Sequence, residues 1–167
     1  ALYASDVPPG QTVWGAAVLR TLSQTLAYGL SLLDTARALA AEHDKMADAY
    51  GPALLDFRNQ LQEAAAQIGT PEQPGPLSWD EIGARLRSIS CGRFGTLRNF
   101  EDETAKARVT ALRDDVKKRV GKLPDLLCGT EEQCRADIAA LQPLVAALFT
   151  VVRRYGERYT EKKKKRR

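Results

Sequence analysis

The chain has 167 residues, 44% of them hydrophobic and 28% charged, which supports one domain with a real core and reads as globular rather than disordered. No apolar run approaches the roughly 20 residues of a bilayer-spanning helix, and the opening ALYASDVPPGQ lacks the basic-then-apolar order of a secretory signal. The net charge of +4 is unevenly spread: −5 over residues 1–80, +5 over 81–122, −2 over 123–161 and +6 over the terminal KKKKRR of 162–167. Such concentration suits a polyanion-facing patch better than uniform basicity does.

In chain order the pattern is helical. From Val18 the apolar residues Leu22, Leu26, Leu30, Leu33, Ala36 and Ala40 recur every three or four positions, which predicts a first helix. Gly51-Pro52 predicts a break, with proline in the first turn of a second helix, PALLDFRNQLQEAAAQI, that ends at Gly69. GTPEQPGPLS reads as a loop. Ser78 and Glu81 form a capping-box pattern that opens a short helix, WDEIGARLRSI. SCGRFGTLRNF has two glycines and no helical period, so it reads as a second loop.

A basic helix is predicted from Glu103 to Lys122, with Ala105, Val109, Leu112, Val116, Val120 and Leu123 as its apolar stripe. Thr130 and Gln133 form another capping box before the last helix. There Ile138, Leu141, Val145, Leu148, Val152, Tyr155 and Tyr159 make a heptad-like seam, read as internal core, and Pro143 predicts a kink or split near Gln142. The expected fold is all-α: an antiparallel bundle of about five unequal helices, without a sheet, as a single unit over 1–167.

The chemistry of catalysis is missing. The sequence has no Gly-rich phosphate loop, no nucleophile elbow and no metal-binding histidine pair. His43 is the one histidine and no Cys-x-x-Cys occurs, so no zinc site is expected. The three cysteines, Cys91, Cys128 and Cys134, are an odd count without a secretion signal and are expected as free thiols, with a local Cys128–Cys134 bridge the less favoured arrangement. Asp114-Asp115 beside Lys117 and Lys118 reads as a set of surface ion pairs. On an ideal helix Lys106, Arg113 and Lys117 lie along one stripe beside the core stripe, a geometry suited to phosphate contact. With Arg85, Arg87, Arg93, Arg98, Lys118 and Lys122 they make up the candidate DNA-binding set. Phe94 and Phe100 flank the preceding loop and read as core rather than as platforms for base stacking.

Four segments in order, YGPALLDFRNQLQ, LSWDEIGARLRSI, ARVTALRDDVKKRVGKL and IAALQPLVAALFTVVRRYGERYTEKKKKRR, resemble the helical insertion in the first RecA-like motor domain of AddA-type helicase–nuclease subunits. These are relatives of RecB-like and UvrD-like helicases. The matching positions are Gly51-Pro52 with Asp56, Trp79-Asp80-Glu81, Arg113-Asp114 with Lys117-Lys118, the stretch Leu141 to Leu148, and Tyr159 with Lys163. The likeness covers roughly residues 45–167; residues 1–44 match as generic helix. The family's P-loop and its D-F-x-D-L segment are not in this sequence.

The resemblance implies a non-catalytic, DNA-guiding accessory subdomain of a longer bacterial, cytoplasmic helicase chain. It also implies ATP and Mg²⁺ bound elsewhere in that chain, duplex DNA near a fork as substrate, and an AddB-like partner subunit. The missing initial Met and the cationic end at 162–167 fit a segment whose chain continues into a motor domain. Two other classes compete. A membrane-surface bundle suits the basic end but not the acidic first half. A protein-interaction bundle would use the Ile138–Tyr159 seam to bind a partner helix.

Overall fold

The computed structural model of the protein describes residues 7–98 and 100–164. Five α-helices carry the fold: α1 Val13–Ala41, α2 Asp44–Ile68, α3 Trp79–Ser88, α4 Glu103–Val120 and α5 Glu131–Lys164. Short 3₁₀ turns at Pro9–Gln11 and Leu123–Leu127 precede α1 and α5. The expected all-α fold is observed; among the described residues there is no sheet, and an isolated bridge between Gly69 and Pro74 pins the loop after α2.

The long α1 is the centre of the assembly. Thr12 caps it, its hydroxyl accepting from the Gly15 N–H at 2.9 Å. Leu19, Leu22, Leu26, Leu33, Ala36 and Ala40 are buried along its length. The chain reverses at Glu42-His43 and α2 returns beside α1, burying Met46, Tyr50, Leu54, Phe57, Leu61, Ala64 and Ile68. On α4, Asp102 caps the start beside His43 (Nε2 to Oδ2 3.8 Å), and Arg119 stacks over Tyr28. So α4 also runs antiparallel to α1, with Val109, Val116 and Val120 buried. At the opposite end α3 is held by its capping box and by the contact of Trp79 with Trp14, ring centroids 5.3 Å apart.

The turn between α1 and α2 does not fall at Gly51-Pro52. Pro52 lies inside α2, exposed, and the helix starts eight residues earlier at Asp44. The buried stripe runs unbroken from Met46 and Tyr50 into Leu54, so packing outweighs the roughly 3 kcal/mol that an interior proline costs. The proline leaves the Asp48 carbonyl without its helical donor. One residue further, the Ala49 carbonyl accepts from the Gly95 N–H at 2.8 Å. That bond lays the irregular segment 89–98 directly on α2. A β-carbon at Gly95 would lie 2.8 Å from the Ala49 oxygen, so the approach requires glycine. Tyr50 then stacks on Phe94 at 3.9 Å, and Arg113 of α4 covers the other Phe94 face at 4.0 Å.

The largest departure concerns α5. Its start is as predicted: Thr130 and Gln133 bond reciprocally, and the Glu131 N–H donates to Asp80 of α3 at 2.9 Å. Pro143 does not split it; the helix is continuous from Glu131 to Lys164. Its seam is not internal core. Cys134 is buried, but Leu141, Leu148, Val152, Tyr155 and Tyr159 are 54–71% exposed. The helix leaves the bundle after about two turns, and past Thr150 every position whose exposure is described faces solvent. By length and hydropathy α5 is also one helix that could cross a membrane, which qualifies the expectation from run length alone. Residues 165–167 of the basic end lie outside the described residues.

The capping box at α3 makes a pH prediction. The Ser78 hydroxyl and backbone N–H both donate to Glu81, at 2.7 and 2.8 Å, and hold its carboxyl below the usual glutamate value. A depressed folded value means the stabilisation is complete above the ordinary glutamate range and is lost as pH falls through the lowered value. Ser78→Ala is expected to move the Glu81 pKa part of the way back up, because the backbone donor remains. It should lower thermal stability more at pH 7 than at pH 3. Carbon-detected NMR titration of Glu81, with melting curves at both pH values, checks this.

Candidate nucleic-acid interface

The cationic block is carried by α3, the segment 89–98 and α4; the Gly95 and Phe94 contacts bring the segment and α4 together against α2. Two of the nine predicted residues, Arg113 and Lys117, come together there. Arg93 is exposed next to Phe94, Arg113 lies over that ring, and Lys117 is exposed one helical turn further along α4. Cys91 lies beside Arg113 and Lys117, half-buried; burial raises its thiol pKa, opposed by the charges of those two residues. Lys118 and Lys122 continue the exposed surface toward the end of α4.

The stripe named by helical geometry is partly engaged by the protein itself. Arg113 is 19% exposed, bound to Asp114 at 2.7 Å and stacked on Phe94. Lys106 is paired with Glu103 at 3.0 Å. The ion-pair partners of Asp114 and Asp115 are thus Arg113 and Arg119, rather than Lys117 and Lys118. Lys117 and Lys118 make no ion pair among the described residues.

The remaining candidates are spread. Arg85 ties α3 to α2 through Glu63 at 2.9 Å and the Gln60 carbonyl, with 21% of its side chain exposed. Its Nε is buried without a hydrogen-bond partner. Arg87 borders a separate groove against Pro124 and Leu127. Arg98 lies beside Lys45 and Asp48 at the far end of the segment. Sequence spacing could not foresee this division, because Glu63, which pairs with Arg85, and Phe94, over which Arg113 lies, come from outside their helices.

The aromatic residues beside this surface are not open platforms. Both faces of Phe94 are occupied, and Phe100 packs on the core with its ring edge-on to His43 at 5.3 Å. A surface of cations without free rings suits contact with a phosphate backbone and offers no base readout. The three cysteines are free thiols in this structure: Cys91 half-buried, Cys128 exposed and Cys134 buried. Among the described residues no cluster of His, Cys, Asp or Glu could hold a metal ion.

Along most of its length the chain is similar to three bacterial proteins, each named as the A-type subunit of an ATP-dependent helicase/nuclease. It is 29% identical to that of Moorella thermoacetica over 164 residues, 96% of this chain and 11% of that protein. The identity is 26% over 162 residues for Acetivibrio thermocellus and 23% over 159 residues for Clostridium novyi, in each case 94% of this chain and 12% of the relative. The similarity therefore takes in most of residues 1–44 as well, beyond the span of the four resembling segments. The chain spans about an eighth of the relatives it matches. No protein-family model and no solved structure matches it.

Proposed function

We propose that this chain is a non-catalytic helical subdomain of a longer AddA-type helicase/nuclease polypeptide, where it guides duplex DNA. The observation that carries the reading is the near end-to-end similarity to a short stretch of three helicase/nuclease subunits, in a chain with no phosphate-binding loop of its own. In this reading ATP and Mg²⁺ are bound by other parts of the longer protein. An AddB-like subunit is its partner, and the work is repair of DNA breaks and recombination in the bacterial cytoplasm. The Arg93, Lys117, Lys118 and Lys122 surface supplies positive charge at the outer face, fixed by α4 and by the segment hooked to α2. Contacts of this kind are electrostatic and independent of sequence.

The test uses the chain ended at Glu161, because loose cations bind DNA whatever their native role. Duplex binding is expected to be weak, with Kd on the order of 10⁻⁴–10⁻⁶ M at physiological salt. Arg93→Glu, Lys117→Glu and Lys118→Glu together are expected to weaken it about tenfold or more, and to reduce the slope of log K against log salt by about 3. Helicity should not change, since all three side chains are exposed. Fluorescence anisotropy across a salt series decides it. Equal binding by the parent and the triple variant would remove DNA from this face.

A further inference from the structure

The outer face of α5 takes no part in the cationic surface. Leu144, Leu148, Val151, Val152, Tyr155 and Tyr159 are each 59–71% exposed on one helix. With Leu141 and Phe149, 54% and 57% exposed, they make a run of uncovered apolar side chains along the helix, and a rimmed apolar patch of this kind marks an interaction surface. The patch does not stop where α5 meets the bundle. It runs into a groove of about 510 Å³ lined by Val13, Trp14, Ala17, Ile138 and Leu141. There Trp14 remains 41% exposed, although one face of its ring lies against Trp79.

The breadth of the patch says what kind of cover it takes. At 100° per residue the large apolar side chains from Val151 round to Phe149 occupy about 160° of the helix circumference. A single partner helix needs a narrow seam of a and d positions. An arc this wide has to meet at least two elements at once, as an inner helix of a larger body does. The relatives supply such a body: each is about eight times the length of this chain.

We infer that α5 and the Trp14 groove form the face by which this chain is built into the remainder of its own longer polypeptide, with apolar segments of that polypeptide enclosing α5 on two sides. This rests on the reading of the chain as a subdomain, and it assigns opposite jobs to two faces: α4 and the segment 89–98 outward, α5 inward. A second copy of the chain or a bilayer would be the competing covers.

Cysteine accessibility distinguishes them. Leu148→Cys on α5 and Ala111→Cys on the exposed side of α4 are made both in the 167-residue chain and in the longer protein, and maleimide labelling at each site is followed by peptide mass spectrometry. In the 167-residue chain both sites should label rapidly. In the longer protein Leu148→Cys should label at least 100-fold more slowly, while Ala111→Cys keeps its rate. Hydrogen exchange of unsubstituted residues 138–159 in the two forms gives the same answer should the substitution disturb folding.

Rapid labelling or unprotected amides at α5 in the longer protein overturns the inference and leaves the subdomain reading standing. Protection in the 167-residue chain that grows with concentration and tracks a dimer in sedimentation overturns it in favour of a second copy. Protection that appears only with anionic phospholipid vesicles overturns it in favour of a bilayer. A gene that encodes these residues and no more removes the subdomain reading itself.

Discussion

Replacing Phe57 with alanine is expected to remove about 3–5 kcal/mol of stability, a large part of the roughly 5–15 kcal/mol that holds a domain together. Phe57 is 1% exposed and is the largest of the fully buried side chains. It lies midway along α2, on the stripe that faces α1. Its removal deletes the transfer energy of the ring and leaves a cavity that two long helices cannot easily close. At about 2–4 °C per kcal/mol for a chain of this size, the melting temperature should fall by about 6–20 °C. Leu148→Ala removes a side chain of similar hydrophobicity from a site 62% exposed, and should change stability by less than about 0.5 kcal/mol. Urea unfolding with an unchanged m value checks both. Similar losses for the two variants would mean that α5 is packed in solution.

Gly29→Leu is expected to loosen the meeting of three helices. Gly29 is buried in α1 where α2 and α4 both cross it. A β-carbon there would already lie 3.0 Å from a Leu61 methyl and 3.2 Å from a Val116 methyl. The gain in helix propensity of about 1 kcal/mol does not offset a full side chain driven into that space, and overpacking typically costs about 1–3 kcal/mol. Gly29→Ala should be nearly neutral, since the nearer contact is the end of a flexible leucine. Gly156→Ala meets nothing within 4 Å and should raise the helicity of α5. A thermal melt and far-ultraviolet circular dichroism of the three variants should rank them in that order. A Gly29→Leu variant as stable as the parent would show that α4 does not sit on α1 as described.

The helices were legible because their buried stripes are regular. Leu22, Leu26 and Leu33 on α1, and Val109, Val116 and Val120 on α4, recur at helical spacing and are buried as that spacing predicts. Both capping boxes were readable, since each is a contact between residues three apart. Periodicity failed where local and tertiary forces disagree. Pro52 marks a helix start by local rules, but the stripe from Met46 to Leu54 holds the helix together across it. On α5 the seam is apolar as its pattern says, but a pattern states only that a face wants cover, not that cover is present. The candidate site was half legible. Charge in the block 81–122 was visible, whereas the removal of Arg85 and Arg113 into structural pairs depends on Glu63 and Phe94, residues far away along the chain.

The bond from Gly95 to Ala49 bears on how substitutions in α2 should be valued. By helix propensity alone Pro52 is the worst residue in its helix, and Pro52→Ala looks like an improvement. The proline frees the Asp48 carbonyl, one residue before the Ala49 carbonyl to which the segment 89–98 is moored. The mooring itself rests on Ala49 and on the Tyr50 ring that stacks on Phe94. Pro52→Ala returns a donor to the Asp48 carbonyl but leaves the Ala49 acceptor, and with it the Gly95 mooring, in place.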